Sequence, residues 1–201
     1  MIEKHLITGL ILAGGQGTRM GRVNKGLQIL DGKPMVQHVL ERLNDQVGTM
    51  LINANQDLAR YAEFGVTVCQ DITEGFPGPL AGIEAGLRQC DTPFLLSAPC
   101  DSPFLPLDLV QRLSDDLLRK QADIAIATTT EQKHGTTYCQ RHPVFALMNV
   151  SVANQLSQFI VGGGRKVDLW LDQCKTVEVA FPDSHHFLNV NTLHELQQFS
   201  T

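Results

Sequence analysis

A short apolar segment that leads directly into a glycine-rich stretch limits what this chain can fold into. Residues 6–12 are mostly apolar and predict a buried strand, and glycines follow at positions 14, 15, 17 and 21. Glycine permits a positive φ and lets backbone N–H groups approach a ligand closely. The cations Arg19, Arg22 and Lys25 lie among these glycines, and residues 5–30 contain no Asp or Glu. The stretch therefore predicts a loop that binds the phosphate groups of a nucleotide.

The spacing of these residues excludes the common phosphate-binding loops. A P-loop needs a glycine, four further residues and then Gly-Lys-Ser/Thr, and none of the four glycines meets that spacing. The dinucleotide-binding fingerprint can begin at Gly15 and Gly17, but its third glycine would fall on Met20. Asn24 and Lys25 are similar to the start of the guanine-reading motif of GTPases, but Leu27 stands where that motif has Asp.

Strand and helix signals alternate along the rest of the chain. Short apolar segments predict strands near 6–12, 50–52, 66–68, 94–96 and 177–179, and a pair near 124–126 and 144–147 around a polar connection. Apolar residues at helical spacing predict helices near 34–47, 56–64, 80–90, 150–160 and 166–172, one from near Pro106, and a last one after the capping box at Thr192. This alternation predicts an α/β fold: one domain over residues 1–201, with three α/β/α layers around a mostly parallel sheet.

Charge and cysteine usage narrow the classes of function. A net charge of −5 argues against broad binding to nucleic acid or to a membrane surface. No apolar run reaches about 18 residues, so no membrane span is expected, and the first residues lack the pattern of a signal peptide. The five cysteines lack a Cys-x-x-Cys pair, which disfavours a zinc site and indicates a reducing cytoplasm. Histidines without metal-ligand spacing are expected on the surface or in loops, at positions 134, 142, 185 and 186.

The predicted fold gives several polar positions a common location. Asn53, Asp71 and Asp101 each follow a short apolar segment, as the glycine-rich stretch does. Open α/β sheets bind their ligands in the crevice outside the carboxyl ends of the strands. Four stretches that are far apart in the sequence are thus expected to form one binding rim.

The glycine-rich stretch has the pattern Leu-Ala-Gly-Gly-x-x-x-Arg-Met-Gly-x-x-x-Lys-Gly-Leu, from Leu12 to Leu27. This pattern resembles the glycine-rich loop of nucleotidyltransferases and is most similar to that of the molybdenum cofactor guanylyltransferases. The resemblance extends from Leu10 to about Glu195. It implies a Rossmann-like nucleotidyltransferase fold and Mg²⁺-dependent transfer of GMP from GTP to the terminal phosphate of Mo-molybdopterin. The products would be the guanine dinucleotide form of the cofactor and pyrophosphate.

The candidate catalytic residues are Arg19, Lys25 and Asp101. Displacement of pyrophosphate builds negative charge on the leaving group, which Arg19 and Lys25 can neutralise. Arg22 could assist, and is equally well explained as a solvated surface cation. Taken alone, Asp101 fits a turn or a helix cap as well as a metal ligand. The resemblance implies that it binds Mg²⁺, which usually takes one or two carboxylates in addition to substrate phosphates.

The nucleoside site is expected along the same rim. Asn53 and Asp71 resemble positions that hold the nucleoside in the guanylyltransferases. A carboxylate or carbonyl acceptor at such a position can select guanine over adenine. Local Asx turns are the alternative, and the sequence leaves open whether Asp71 would meet the base or the ribose. The full set of candidate nucleotide-binding residues is Leu12, Ala13, Gly14, Gly15, Lys25, Asn53, Asp71, Gly78, Pro79, Leu80 and Asp101.

Two later segments are candidates for the acceptor site. Asn189 and Asn191 lie on one face of an extended segment, and the resemblance implies a position near the metal and the acceptor. Helix capping is the alternative for Asn191. Arg165 and Lys166 follow three glycines and could bind the terminal phosphate of the pterin, or could be solvated at a helix start. Asn24 departs from the pattern, because many relatives have Asp directly before the loop lysine.

Other functions remain open on the sequence alone. The same fold could serve cytidylyl transfer to molybdopterin or nucleotidyl transfer to a sugar phosphate. A different class is a non-catalytic GTP-binding adaptor that delivers the cofactor. The resemblance implies GTP, Mo-molybdopterin, molybdenum-insertion proteins and molybdoenzyme-specific chaperones as partners, without nucleic acid or membrane.

Overall fold

A seven-stranded sheet is the centre of the part that the computed structural model describes, residues 1–15, 24–72, 78–133 and 135–190. The strands of the chain, including a separate β2–β3 hairpin, are β1 Ile7–Leu12, β2 Ile29–Leu30, β3 Lys33–Pro34, β4 Thr49–Asn53, β5 Thr67–Cys69, β6 Phe94–Pro99, β7 Ile124–Lys133, β8 Thr136–Asn149 and β9 Thr176–Phe181. Their order across the sheet is β5-β4-β1-β6-β8-β7-β9. β8 is antiparallel to both neighbours, and the other pairs are parallel. The prediction of a mostly parallel sheet is confirmed.

Several predicted features lie outside the described ranges. They are Arg19, Arg22, His134, Asn191 and the helix predicted after Thr192.

Helices cover both faces of the sheet, which confirms the three-layer architecture. They are α1 Met35–Leu43, α2 Leu58–Ala62, α3 Pro79–Gln89, α4 Leu109–Lys120, α5 Ala153–Val161 and α6 Val167–Leu171. Side chains of β1 alternate between two cores: Ile7 and Ile11 pack with residues of α1 and α4, and Leu10 packs with residues of α3, α5 and α6. Full burial of each such side chain contributes about 1.5–3 kcal/mol. None of the described helices is both long and apolar enough to cross a membrane.

The segment between residues 126 and 144 differs from the prediction. A polar connection was expected there, but β7 and β8 continue as an antiparallel hairpin of 10 and 14 residues with a register shift between Ile126 and Ala127. The hairpin pairs its own backbone groups, so it needs no apolar alternation. Arg141 of β8 lies within 3.3 Å of carboxylate oxygens of Asp168, Asp172 and Glu178, and so ties the hairpin to α6 and β9.

The helix expected from near Pro106 begins at Leu109. The residues between them form a turn, in which the N–H of Leu109 bonds to the carbonyl of Pro106 at 3.4 Å. Proline therefore stands before the helix rather than in its first turn.

The strand order reverses direction between β1 and β6, and this point determines where a ligand can bind. β4 and β6 flank β1 and are both parallel to it, so the carboxyl ends of the three strands share one edge. Crossover connections leave this crevice in opposite directions, which opens a space for a ligand.

Candidate active site

Lys25 and Asp101 form an ion pair at this edge. Nζ of Lys25 donates a hydrogen bond of 3.1 Å to Oδ2 of Asp101, and the two side chains are 22% and 13% exposed. Asp101 follows β6, whose central residues are buried, and is 76 positions from Lys25 in the chain. The structure therefore places a cation and a carboxylate in contact, within reach of a ligand and largely shielded from solvent.

Close packing holds the 3-10 turn Lys25–Leu27 against the end of β6. A Cβ atom at Gly26 would lie 2.6 Å from Oη of Tyr61 and 3.2 Å from both Cβ and Sγ of Cys100. Any side chain at this position would force the turn away from the strand end. Burial raises the pKa of the Cys100 thiol, so it stays protonated beside Asp101 and adds no negative charge.

Asn53, Asn55 and Asp71 form a hydrogen-bonded cluster at the ends of β4 and β5. Nδ2 of Asn53 donates to Oδ1 of Asp71 at 2.9 Å, and Nδ2 of Asn55 donates to Oδ2 at 2.8 Å. Oδ1 of Asn55 accepts from the backbone N–H of Asp71 at 3.0 Å. Burial raises the pKa of the neighbouring Cys69 thiol to about 11, so that group is neutral as well. The cluster fixes the carboxylate of Asp71 in one orientation.

Glycines enclose the amide of Asn53, which is 2% exposed. The N–H of Ala13 bonds to the carbonyl of Asn53 at 2.8 Å. A Cβ atom at Gly14 would lie 2.8 Å from Oδ1 of Asn53, and one at Gly82 of α3 would collide with the same oxygen. The backbone after β1 and the first turns of α3 therefore lie directly against this amide. Leu12 and Gly15 flank Ala13 and Gly14 in the chain.

Gly78, Pro79 and Leu80 begin α3. Gly78 has a φ of 135°, which favours glycine, and Pro79 occupies the first turn, where its missing N–H costs nothing. The side chain of Leu80 is fully buried in the core, so any contact with a base would come from its backbone. The role of these residues in nucleotide binding stays a prediction.

The segment that carries Asn189 packs against the residues after β6. Oγ of Ser102 donates a hydrogen bond of 2.6 Å to Oδ1 of Asn189, and the N–H of Val190 bonds to the carbonyl of Asp101 at 2.8 Å. A late part of the chain is thereby joined to the residue proposed to bind metal.

Arg165 and Lys166 are exposed on the loop between α5 and α6. Nη1 of Arg165 donates to the carbonyl of Gly164 at 3.0 Å. β8 ends opposite the start of β6, and α5 follows it in the chain. Contact of either residue with an acceptor stays a prediction.

The donor set at the rim fits Mg²⁺ better than a softer metal. Among the described residues, no group of three or more His, Cys, Asp and Glu side chains could hold a metal ion. Asp101 supplies one carboxylate oxygen pair, and Asn189 supplies an amide nearby. Mg²⁺ is commonly held by a single protein carboxylate together with substrate phosphates and water, which agrees with this sparse set.

His142 differs from the expectation of a surface or loop histidine. It lies in β8, stacks on Phe187 with ring centroids 4.5 Å apart, and shares a hydrogen bond of 2.8 Å with Oγ1 of Thr129. Burial lowers the pKa of this ring, and the nearby Glu131 opposes that shift. His185 and His186 lie in the short 3-10 turn before Leu188.

Asn55 is a residue of this site that sequence reasoning missed. It follows the strand end by two positions, in the sequence Asn53-Ala54-Asn55, and this spacing was its signal. Its exposure to the rim depends on the backbone after the strand, which no periodicity predicts.

Known proteins resemble this chain over nearly its whole length. The model of the MobA-like NTP transferase domain matches residues 9–176. A molybdenum cofactor guanylyltransferase of Ralstonia nicotianae is 52% identical over 201 residues, which are 100% of this chain and 98% of that protein. A protein of the same name from Cupriavidus necator is 50% identical over 201 residues and is fully covered.

Solved structures share the fold. Molybdopterin-guanine dinucleotide biosynthesis protein A from Archaeoglobus fulgidus superimposes with a TM-score of 0.74 at 23% identity, and 96% of each chain is covered. 4-Diphosphocytidyl-2C-methyl-D-erythritol synthase from Anaerococcus prevotii gives a TM-score of 0.74 at 9% identity, with 98% and 97% covered. The sheet order, the rim and the family match agree with one another. This chain belongs to the MobA-like NTP transferase family.

Proposed function

We propose that this protein is a molybdenum cofactor guanylyltransferase, which transfers GMP from GTP to the terminal phosphate of Mo-molybdopterin. The observation that carries the proposal is the Lys25–Asp101 ion pair at the reversal of the strand order. Relatives of that name at about half identity, matched over the whole chain, support the choice of substrates. We further propose that residues 1–201 act as one nucleotidyltransferase domain in the cytoplasm.

The reaction requires an in-line displacement at the α-phosphorus of GTP. An oxygen of the acceptor's terminal phosphate forms the new bond to this phosphorus, and the bond to the oxygen that bridges the α- and β-phosphates breaks. Pyrophosphate leaves with that oxygen. The acceptor is already an anionic nucleophile, so positioning and charge neutralisation suffice without a general base.

Lys25 and Asp101 would divide the task of charge neutralisation. Asp101 would hold Mg²⁺, which when bound supplies positive charge at the phosphate oxygens, and the amides of Asn189 and Asn191 would orient the acceptor's phosphate. Lys25 would then exchange its contact with Asp101 for the β- and γ-phosphates and stabilise the leaving pyrophosphate. Arg19 would add a second, forked donor to the same phosphates.

The nucleoside would lie against the Asn53–Asp71 side of the rim. Two amides orient the carboxylate of Asp71, and each of its oxygens retains acceptor capacity for N–H groups of guanine or for ribose hydroxyls. Backbone groups of Leu12, Ala13, Gly14 and Gly15, and those at the start of α3, would border the base. Arg165 and Lys166 would bind the acceptor's phosphate from the opposite side. Molybdenum-insertion proteins and molybdoenzyme-specific chaperones are proposed partners.

Pyrophosphate release with purified Mo-molybdopterin and each nucleoside triphosphate tests the proposal. We expect release that requires GTP, acceptor and Mg²⁺ together. Equal or greater release from CTP would indicate the cytidylyl reaction instead. Tight GTP binding without any release would indicate a delivery adaptor.

A further inference from the structure

Asn24, which directly precedes Lys25, connects two groups on α2 and its cap. Nδ2 of Asn24 donates a hydrogen bond of 3.1 Å to Oδ2 of Asp57, and Oδ1 of Asn24 accepts one of 2.6 Å from Oη of Tyr61. One side chain therefore acts as a donor and an acceptor at once. An amide does both in a single protonation state, whereas an ionised carboxylate can only accept.

Both partners of Asn24 have fixed positions. Tyr61 is fully buried in the core, and burial raises the pKa of its hydroxyl, so this group is an O–H donor at physiological pH. Asp57 precedes α2 with φ 53° and ψ 34°, a left-handed conformation that Asp and Asn adopt more readily than most residues. The N–H of Tyr61 bonds to the carbonyl of Asp57 at 3.1 Å. The carboxylate of Asp57 and the hydroxyl of Tyr61 therefore face the amide from one short segment of the chain.

The same tyrosine also contacts the turn on the other side of Lys25. Its Oη lies where a side chain at Gly26 would begin, as described above. Lys25 is thus held between two neighbours, Asn24 and Gly26, that both meet the hydroxyl of Tyr61. The position of its ammonium group opposite Asp101 depends on this double contact.

We propose that Asn24 is a positioning residue for Lys25. The pairing of an amide at position 24 with a carboxylate at position 57 determines where the ammonium group of Lys25 lies when it receives the triphosphate. The inference rests on the proposed function, because that function assigns the phosphates to Lys25. A carboxylate at position 24 would still accept from Tyr61, but it would face the carboxylate of Asp57. Like charges at this distance repel, and the donated hydrogen bond would be lost.

The test exchanges the two groups. Asn24→Asp creates the carboxylate pair, and Asn24→Asp with Asp57→Asn restores an amide opposite a carboxylate with the original net charge. Asparagine also tolerates the left-handed backbone at position 57. Asn44→Asp is the matched control, because Nδ2 of Asn44 donates to Oδ1 of Asp45 at 3.2 Å on the exposed end of α1, so the same bond is lost and the same charge is gained.

Kinetics with GTP and acceptor varied separately give the result. For Asn24→Asp we expect kcat/KM for GTP to fall about tenfold, with KM for the acceptor unchanged. In the exchanged double variant, kcat/KM for GTP should recover to within about threefold of that of the unaltered protein. Asn44→Asp should have the same kcat/KM as the unaltered protein. Calorimetric binding of GTP with Mg²⁺ to the same proteins should follow the same order.

Two results would overturn the inference while the proposed function stands. One is that Asn24→Asp has the same kcat/KM for GTP as Asn44→Asp, while the unaltered protein turns over GTP. The other is a double variant no better than Asn24→Asp alone. If the unaltered protein neither releases pyrophosphate nor binds GTP, the proposed function fails, and the positioning role falls with it.

Discussion

Oγ of Ser102 donates a hydrogen bond of 2.6 Å to Oδ1 of Asn189, although 87 positions separate the two residues. Ser102 is fully buried directly after Asp101, so the bond anchors the late segment to the proposed metal ligand. The orientation of the amide of Asn189 at the rim therefore depends on a side chain that itself never meets solvent.

Replacement of that serine should weaken the binding of the acceptor more than the binding of GTP. Ser102→Ala removes the donor and leaves Oδ1 of Asn189 without it, which should lower the free energy of unfolding by about 1–2 kcal/mol. KM for the acceptor should rise several-fold, and KM for GTP should change little. Urea denaturation and steady-state kinetics measure these quantities, with the exposed Ser151→Ala as the control. An unchanged KM for the acceptor would separate Asn189 from the acceptor site.

Gly26 should not tolerate a methyl group. In Gly26→Ala the new Cβ would meet Oη of Tyr61 and Cys100, so the turn that carries Lys25 must shift. We expect kcat/KM for GTP to fall by at least about tenfold. Gly162→Ala is the matched control, because its Cβ would come no closer than 3.3 Å to a neighbour. Equal activity of the two variants would show that the turn adapts.

Asn55 should contribute to GTP affinity through Asp71. Asn55→Ala removes the hydrogen bonds that Asn55 makes with the carboxylate and the backbone N–H of Asp71. A hydrogen bond to a charged group contributes about 1.5–3 kcal/mol, less where solvent reaches it, so we expect KM for GTP to rise about three- to tenfold. Asn44→Ala should leave it unchanged. Wild-type affinity in Asn55→Ala would mean that Asp71 is held well enough by Asn53.

His142 should make stability depend on pH. Because burial lowers its pKa in the folded state, the unfolded chain binds a proton more readily. The stability that the neutral His142 ring contributes is therefore fully present above the ordinary histidine pKa of about 6.5. It is lost as the pH falls below that value towards the lower folded-state pKa. The urea midpoint should drop between about pH 7 and pH 5, and His142→Gln should flatten that slope. An equally steep slope in the variant would assign the dependence to other groups.

Much of the fold and part of the rim could be predicted from the sequence. Parallel strands end at one edge, so the polar residues after β4, β5 and β6 had to share it, and Asn53, Asp71 and Asp101 do. Lys25 meets Asp101 at the same edge, where the glycine-rich stretch after β1 was expected to lie. These predictions needed only strand direction and order of the elements.

Other features depended on side-chain directions that no pattern contains. The bonds of Asn24 to Tyr61 and Asp57 require the exact place of a short helix. The extension of β7 and β8 is polar on both faces, so it lacks the alternation that marks a half-buried strand. Leu80 was a candidate nucleotide-binding residue, but the first turn of α3 directs its side chain into the core.

The most direct test of the account concerns the Lys25–Asp101 pair. Pyrophosphate release from GTP with acceptor and Mg²⁺ should fall by at least about a thousandfold in Asp101→Asn, because the charge that would hold the metal is gone. The variant should keep its far-UV spectrum and a cooperative melting transition, and the exposed Asp45→Asn should retain full activity. A rate like that of the unaltered protein in Asp101→Asn would contradict the central claim that Lys25 and Asp101 act on one triphosphate.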